Sequence, residues 1–356
     1  MTASSGLDLA YDEVPYPDLC YGLTHPGRLA AIGRLLNISP VPAPRCRVLE
    51  IGCAGGGNIV PMAFSLPGSS FVGIDLSERH IETATRFSNR LGLTNVRLHQ
   101  MDVTEVAPEF GEFDYVIAHG MYSWVPQVVR DKILSICHEH LSTTGIAYVS
   151  YNALPGWHML SMVRELMLYH TRDITEPRAR AQEGRAVIRR LRSMVPDADQ
   201  SVVATFLDAY VDTRLGRFAG DAAWEDSALL HDELGAINEP VYFHQFMQHA
   251  EQHQLQYLTE ATFPQAMTHD LPLETIARLH DMARDATEFE RYLDYVRQQS
   301  FRRTLLCHEA IEIQRTQHSQ DIEGLYVPSR AQCKATRTVT RPSGAAMARP
   351  FRPSTP

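Results

Sequence analysis

The chain has 356 residues, enough for two domains, and its hydrophobic content of 44% is ordinary for a globular protein. Its formal net charge of -9 argues against a nucleic-acid partner, because such partners select basic surfaces. The N-terminus lacks the basic start and apolar core of a signal peptide, and no apolar run is long enough to span a bilayer. We therefore expect a cytoplasmic protein with no membrane partner.

Residues 45–152 alternate strand-like and helix-like segments. Five strands are predicted at Arg47–Ile51, Ser70–Asp75, Val96–Met101, Phe113–His119 and Gly145–Asn152. Helical patterns lie between them at Asn58–Leu66, Glu78–Leu91 and Pro126–Leu141. This alternation predicts an α/β fold with a doubly wound, Rossmann-like parallel sheet, whose ligands bind at the carboxyl ends of the strands.

The second half of the chain has a different pattern. Apolar residues recur at helical spacing in His158–Thr171, Glu176–Met194, Ala198–Leu215 and Leu273–Ile313. A helix at Phe243–Gln252 and a late strand at 254–260 are also predicted. We read this half as a mostly helical second domain, placed after the α/β domain or inserted near its end.

These patterns divide the chain into four parts. Residues 1–44 form an N-terminal arm or lid, 45–157 the α/β domain and 158–329 the mostly helical domain. Residues 330–356 are rich in Pro, Ser, Thr, Ala and Arg, and from Val327 onward there are six basic residues and no acid. We expect this basic tail to be disordered.

Neither cysteine nor histidine spacing predicts a metal site. The six cysteines are scattered without a C-x-x-C pair, so neither a disulfide framework nor a cysteine zinc site is expected. His138 and His140 lie two residues apart, which is more typical of a helix surface than of a ligand set. We therefore expect no metal.

The junction after the first predicted strand is the most informative stretch. Glu50 ends the strand, a glycine-rich turn follows over Gly52 to Gly57, and Asn58 opens a helix. Glycines at such a junction let the backbone approach a ligand and adopt positive φ. Sites for NAD, FAD and S-adenosylmethionine share this turn, so the turn alone leaves the cofactor open.

Two further acids end the next two strands. Asp75 is placed to accept hydrogen bonds from both ribose hydroxyls of a nucleoside cofactor, and Asp102 suits the exocyclic amine of an adenine. Either carboxylate alone could simply cap a helix. Glu50 stands where many dinucleotide sites have a small or apolar residue, which points away from NAD.

Glu50, Gly52, Asp75 and Asp102, in this order, resemble the class I S-adenosylmethionine-dependent methyltransferases. The E-x-G-x-G-x-G motif of that class is present as Glu50-x-Gly52-x-Ala54-x-Gly56, with Ala54 in place of the middle glycine. The resemblance implies that S-adenosyl-L-methionine is the methyl donor. It implies a cofactor site made of Glu50, Gly52, Cys53, Ala54, Gly56, Asn58, Asp75, Leu76, Asp102, Val103 and His119.

Longer motifs carry a narrower resemblance, which covers about residues 11 to 329. Residues 118–126 and 149–158 are the most specific, and they are supported by 11–17, 24–26, 238–244 and 301–308. Together they look like the bacterial methyltransferases with a methyltransferase regulatory domain, a group similar to the rickettsial protein lysine methyltransferases. Members of the group usually continue into a further C-terminal domain, so a truncation or a change of reading frame near Arg330 would explain the abrupt tail.

The methyl acceptor is expected near the loops after the fourth and fifth strands. A methyl transfer mainly requires a positioned lone pair and the exclusion of water. The candidates for the acceptor pocket are His119, Tyr122, Trp124, Tyr151 and Asn152. His119 could instead contact cofactor only through its backbone, and Trp124 could be a core residue. Tyr11 and Tyr16 belong to a segment that is either a lid over the cofactor or a plain extended arm.

Several functions remain open from the sequence. Protein lysine methylation is the first, and a small-molecule N- or O-methyltransferase is its nearest rival. A cofactor-binding but inactive regulatory module is a third possibility. An NAD-dependent dehydrogenase would share the glycine-rich turn and Asp75, but it leaves Glu50 and the aromatic loops unexplained. A homodimer is a further expectation from the resemblance.

Overall fold

The computed structural model describes residues 14, 16–196, 201–217, 220–266, 268, 270–315 and 325. Its centre is a seven-stranded sheet with the strand order β3-β2-β1-β4-β5-β7-β6. Strands β1 to β5 pair in parallel, and β7 lies antiparallel between β5 and β6. The strands are β1 (Arg47–Ile51), β2 (Ser70–Asp75), β3 (Val96–Gln100), β4 (Phe113–Ala118), β5 (Leu141–Asn152), β6 (Leu255–Glu260) and β7 (Phe301–His308). The predicted Rossmann-like fold class is confirmed.

Helices surround the sheet and fill the interval between β5 and β6. Helix α1 precedes the sheet, and α2, α3 and α4 follow β1, β2 and β4. Their bounds are α1 (Pro26–Leu35), α2 (Ile59–Ser65), α3 (Glu78–Arg90) and α4 (Gln127–Glu139). The later helices are α5 (Gly156–His170), α6 (Pro177–Met194), α7 (Val202–Tyr210), α8 (Ala222–Asp232), α9 (Phe243–Gln252), α10 (Phe263–Ala266), α11 (Leu273–Met282) and α12 (Ala286–Arg297).

The two faces of the sheet bury separate cores. Because successive residues of a strand point to opposite faces, Tyr148 joins one core while Val149 and Tyr151 join the other. The first core receives α1 and α2, and the second receives α4 and α9. A third cluster, which includes Trp157, lies among α5 to α8. The carboxyl ends of the parallel strands therefore open between the sheet and these inserted helices.

The second half of the chain differs from its prediction at β7 and at helices α8 and α10, which were not predicted. The helices of 158–215, the helix at Phe243–Gln252 and the late strand are present, with ends shifted by a few residues. The helical prediction over Leu273–Ile313 is wrong at its end, because 301–308 form β7. Since β6 and β7 complete the sheet, α5 to α9 are an insertion between β5 and β6. The sheet therefore contains strands from both sides of the predicted domain boundary at 157/158.

No described helix is both long and apolar enough to cross a membrane. The predicted disordered tail at 330–356 lies outside the described residues.

Candidate cofactor and acceptor site

A cavity of about 1060 Å³ lies at the carboxyl ends of the central strands. Its walls come from the turns after β1, β2, β3 and β4, from the inserted helices and from the N-terminal arm. The predicted cofactor residues on its wall are Glu50, Gly52, Cys53, Ala54, Asn58, Asp75, Leu76, Asp102, Val103 and His119. Gly56 is not on this wall. The sheet thus brings nearly all of the predicted set to one place.

Glu50 lies in the cavity wall, and one of its two carboxylate oxygens is hydrogen-bonded. The Nδ2 of Asn58 donates to Oε1 of Glu50 at 2.7 Å, and Oδ1 of Asn58 accepts from the backbone N–H of Tyr21 at 2.9 Å. Oε2 is buried and has no hydrogen-bond partner among the described residues. Burial raises the pKa of Glu50 to about 8. An unpartnered carboxylate oxygen beside a cavity fits a cationic ligand group such as an ammonium.

The turn after β1 requires glycine at two positions. Gly52 has a φ of 71° and Gly56 a φ of 85°, which is the left-handed region. A Cβ on Gly52 would overlap the side chain of Met121, and one on Gly56 would meet Val60 and Ala84 at 2.9 Å. Ala54 also has a positive φ, 45°, although it carries a Cβ. The motif's departure at Ala54 is therefore accommodated at a cost in strain.

Asp75 helps to hold that strained turn. Its Oδ2 accepts the backbone N–H of Ala54 at 2.9 Å, and its Oδ1 accepts that of Ser77 at 3.0 Å. The Nδ1 of His80 lies 3.3 Å from the same Oδ1. Asp75 thus organises the start of α3 and the glycine-rich turn while it lines the cavity.

Asp102 caps a short turn and also lines the cavity. Its Oδ1 caps a short 3-10 turn, accepting from the backbone N–H and the hydroxyl of Thr104 at 2.9 and 2.8 Å. Its neighbours Met101 and Val103 line the cavity with it, and Leu76 adds another apolar side chain. This corner combines one carboxylate with apolar walls, which suits a purine ring and its amine.

The N-terminal arm connects the glycine-rich turn with the inserted helices. The carboxylate of Asp18 is hydrogen-bonded to the backbone of Gly55 and Gly57. At the other side, the hydroxyl of Tyr16 donates to Oδ2 of Asp232 in α8 at 3.3 Å. Both arm residues line the cavity, and so do Pro17, Leu19 and Tyr21. Tyr11, the other lid candidate, lies outside the described residues.

His119 lies on the cavity wall as an uncharged ring. Burial, with smaller effects of Arg303 and Arg217, lowers its pKa to about 3. Its Nδ1 is 3.0 Å from the hydroxyl of Tyr148 and 3.1 Å from that of Ser150. The ring of Tyr21 packs against it with centroids 3.8 Å apart. A ring with such a low pKa can accept hydrogen bonds, but it holds a proton poorly at neutral pH.

The five acceptor candidates divide into two groups. His119, Trp124 and Asn152 line the cavity. The amide Nδ2 of Asn152 donates to Oδ1 of Asn238 at 2.9 Å, which fixes its orientation. Trp124 is half-buried and packs edge-to-face on Trp157, with centroids 6.3 Å apart.

Tyr122 and Tyr151 do not line the cavity, so their placement in the acceptor pocket is corrected. Both are core residues around Phe246 of α9, with ring centroids at 5.1 Å for Tyr122 and 4.1 Å for Tyr151. The reason for Tyr151 is strand alternation, which turns it to the face that α9 covers. Tyr122 points the same way, and its hydroxyl is 2.7 Å from Nδ1 of His249.

Charged residues of the inserted helices complete the wall, and none of them is among the site residues predicted from the sequence. Glu233 pairs with Arg214 at 3.0 Å, and Glu225 pairs with Arg185 at 3.0 Å. Asp232, which also receives the Tyr16 hydroxyl, has a pKa raised by burial. These residues carry no motif and reach the cavity only through the packing of α8, so no local signal could have found them.

Comparison with known proteins agrees with this geometry. A family model described as a methyltransferase domain matches residues 48–145, and one described as a predicted methyltransferase regulatory domain matches 225–308. An uncharacterized protein of Rickettsia prowazekii (strain Madrid E) is 35% identical over 243 residues, 68% of this chain and 94% of the relative. The chain belongs to the family of methyltransferases with a regulatory domain. This confirms the resemblance stated from the motifs.

Longer members of this family are also similar to the chain. A second uncharacterized protein of R. prowazekii is 38% identical over 313 residues, 88% of this chain and 55% of the relative. The structure of PKMT2 from Rickettsia typhi is 33% identical, with a TM-score of 0.77, or 0.75 for its complex with AdoHcy. Each comparison covers 86% of this chain and 57% of that chain, so the chain spans about half the length of these longer relatives.

Proposed function

We propose that this chain is an S-adenosylmethionine-dependent methyltransferase that modifies protein lysine side chains. The observation that carries the proposal is the cavity at the strand ends, where Oε2 of Glu50 has no hydrogen-bond partner in the described part of the chain and Asp75 and Asp102 line the same wall. The cofactor would supply an electrophilic methyl group. Asp75 would hold its ribose hydroxyls, Asp102 its adenine amine and Glu50 its ammonium. Gly52, Cys53, Ala54, Gly56 and Asn58 would shape the turn, with Leu76, Val103 and His119 as walls.

The chain's own contribution to methyl transfer is positioning and the exclusion of water. The arm residues Tyr16 and Tyr21 and the ring of Trp124 surround the cavity. A pKa of about 3 makes His119 unsuited to take a proton from an amine, so we assign it the role of orienting the acceptor as a hydrogen-bond acceptor. Asn152 would hold the acceptor by its amide.

Three observations support lysine as the acceptor. The first is the set of motifs that resembles the rickettsial protein lysine methyltransferases, together with the likeness to PKMT2 from Rickettsia typhi. The second is the charge of the cavity wall, which carries seven carboxyl groups and four arginines, because an excess of acids attracts a cationic side chain. The third is the enclosed aromatic surface, because aromatic faces hold an ammonium and desolvation lowers its pKa toward the neutral, nucleophilic form.

A small-molecule acceptor is the second candidate, and the arginines of the cavity favour it. Arg185, Arg214, Arg217 and Arg303 all line the wall. A compact anionic metabolite could bind among them, since arginine forks match carboxylates and phosphates. The two candidates differ in whether the transferred methyl group remains attached to protein.

The first test is calorimetric titration with S-adenosylmethionine, S-adenosylhomocysteine and NAD. Micromolar binding of the first two without NAD is expected, and binding of NAD alone would overturn the proposal. The protein is then incubated with radiolabelled methyl donor and a cell extract. After acid hydrolysis of the extract's proteins, we expect the label on methylated lysine. Label confined to low-mass compounds would establish the small-molecule candidate instead. Binding without any transfer would identify a cofactor-binding regulatory module.

Two other expectations also stand as proposals. We place the protein in the cytoplasm and expect a homodimer. Cell fractionation tests the first expectation, and finding the protein in the membrane or periplasmic fraction would contradict it. Light scattering after gel filtration tests the second, and a mass near 40.1 kDa, that of one chain, would contradict it.

A further inference from the structure

Two histidines and an aspartate meet on the outer side of α4, away from the cavity. His249 lies in α9, His253 directly follows that helix, and Asp131 lies in α4. Oδ1 of Asp131 is 3.3 Å from Nε2 of His249 and 3.1 Å from Nε2 of His253. The three atoms lie within 4.8 Å of one another. No metal is expected from the spacing of His138 and His140, and Asp131 is distant in the chain from His249 and His253.

We propose that Asp131, His249 and His253 form a binding site for a divalent transition metal of the zinc class. Two imidazoles and a carboxylate are ligands that zinc accepts, with water in the fourth position. In a tetrahedral site with bonds of about 2.0–2.1 Å, neighbouring ligand atoms are roughly 3.3–3.4 Å apart. The two distances to Asp131 are close to that spacing. The His-x3-His spacing places both rings on one side of α9.

The surroundings orient one of the histidines for this role. Metal-binding histidines usually donate their second ring N–H to a partner that fixes the tautomer. The hydroxyl of Tyr122 lies 2.7 Å from Nδ1 of His249 and can accept that bond. Nε2 of His249 is then left with a lone pair for the metal. Tyr122 is buried against Phe246, so the ring of His249 is held in place.

The position of the site indicates what a bound ion would do. Asp131 belongs to the stretch that matches the methyltransferase domain, whereas His249 and His253 belong to the regulatory domain match. The ion would therefore fasten the regulatory region to the methyltransferase sheet. Tyr122 begins the short turn that ends with Trp124 on the cavity wall, so the fastening reaches the acceptor side of the cavity.

The alternative is an ordinary ion pair, in which the two rings donate to Asp131 and lower its pKa. Zinc titration of the full chain against a chromophoric chelator separates the two. We expect one ion per chain, and at least a tenfold loss of affinity in both His253→Gln and Asp131→Asn. His244→Gln is the matched control, because His244 lies in the same helix but stacks on Tyr242 instead. It should bind zinc as the unaltered chain does.

Cobalt binding gives a second readout that excludes the cysteines. An ion held by nitrogen and oxygen shows d–d bands without the charge-transfer band of a thiolate. Zinc should also raise the thermal midpoint of the unaltered chain and of His244→Gln, but not that of His253→Gln. Circular dichroism checks that the variants are folded. If His253→Gln misfolds, Asp131→Asn still tests the site, because the side chain of Asp131 is exposed. No binding by the unaltered chain, equal binding by all variants or a thiolate band would overturn the proposal.

Discussion

Glu50 shows how burial and function can oppose each other at a single residue. Its carboxyl group is buried, Asn58 satisfies one oxygen, and the pKa is raised to about 8 from 4.5. Because the folded-state pKa is the higher one, the folded state favours the protonated form. The stability that this group contributes is therefore greatest at low pH and is lost as the pH rises from about 4.5 to about 8. A bound cation beside Oε2 would reverse that preference.

Replacing Glu50 tests this linkage. We expect Glu50→Gln to flatten the pH dependence of the free energy of unfolding between about pH 5 and pH 8, because the amide has no proton to lose. Urea unfolding of both proteins at several pH values measures it. Glu112→Gln is a suitable control, since Glu112 is exposed. Parallel pH curves for Glu50→Gln and the unaltered protein would contradict the raised pKa.

Asp75 is the residue for which we expect the clearest effect on cofactor binding. Asp75→Ala should weaken S-adenosylmethionine binding by about 1–3 kcal/mol, the range for losing a buried hydrogen-bond partner. Part of that loss would come from the freed N–H of Ala54. Calorimetry measures the affinity, and circular dichroism checks the fold. Asp173→Ala, at an exposed position, is the control. Unchanged affinity in Asp75→Ala would refute the placement of the ribose.

Individual residues were predictable where the strand ends dictated their position. Glu50, Asp75 and Asp102 lie at or just after the ends of predicted strands, and parallel strands bring their carboxyl ends to one edge. Tyr122 and Tyr151 were assigned to the wrong surroundings because an aromatic residue near a strand end suits a core as well as a pocket. Which one it joins depends on α9, about a hundred residues away.

At the level of elements, β7 is tied to its neighbours by a buried arginine. Arg302 contacts Glu260 of β6 and both Glu290 and Asp294 of α12, each at 2.8 Å. Its side chain is only 3% exposed. One cation therefore connects two strands of the sheet to a helix that packs over them.

Removing that cation should destabilise the protein. Arg302→Met leaves three carboxylates without their partner, and we expect a loss of about 3–5 kcal/mol in the free energy of unfolding at neutral pH. Burial raises the pKa of Asp294 to about 7, so part of the loss should be recovered near pH 5 as the acids take up protons. Urea unfolding at both pH values checks this. Arg278→Met, in an exposed helical pair, should change stability little.

The elements themselves were largely predictable, and the exception has a physical cause. The ends of the first four strands agree with the prediction within one residue, and β1, β2 and β4 are mostly apolar segments. The segment Phe301–His308 is a short run with two arginines, which periodicity cannot distinguish from a helix end. Its strand conformation is decided by β5 and β6, between which it pairs. The local sequence of a segment does not indicate which distant strands it pairs with.

At the scale of the whole molecule, the sheet depends on both halves of the chain. β5 pairs with β7 over six residues from Ala147 to Asn152. A chain that ends at residue 157 would expose that edge together with the buried Val149 and Tyr151. We expect this shortened chain to aggregate and to lack a cooperative thermal transition. A chain ending at residue 315 should remain unaggregated and should melt cooperatively. Gel filtration and circular dichroism compare them. A monomeric, sharply melting 1–157 chain would contradict this dependence.

The strand order also has a consequence for protein synthesis. β5 leaves the ribosome well before β7, because roughly 150 residues lie between them, which corresponds to about 8–30 s of translation. During that interval the nascent chain presents an open β5 edge and an unfilled place in its sheet. The choice of synonymous codons within α5 to α12 therefore sets the time for which the β5 edge remains unpaired. A nascent-chain chaperone that binds extended apolar segments would find its target here, on a chain whose finished fold hides it.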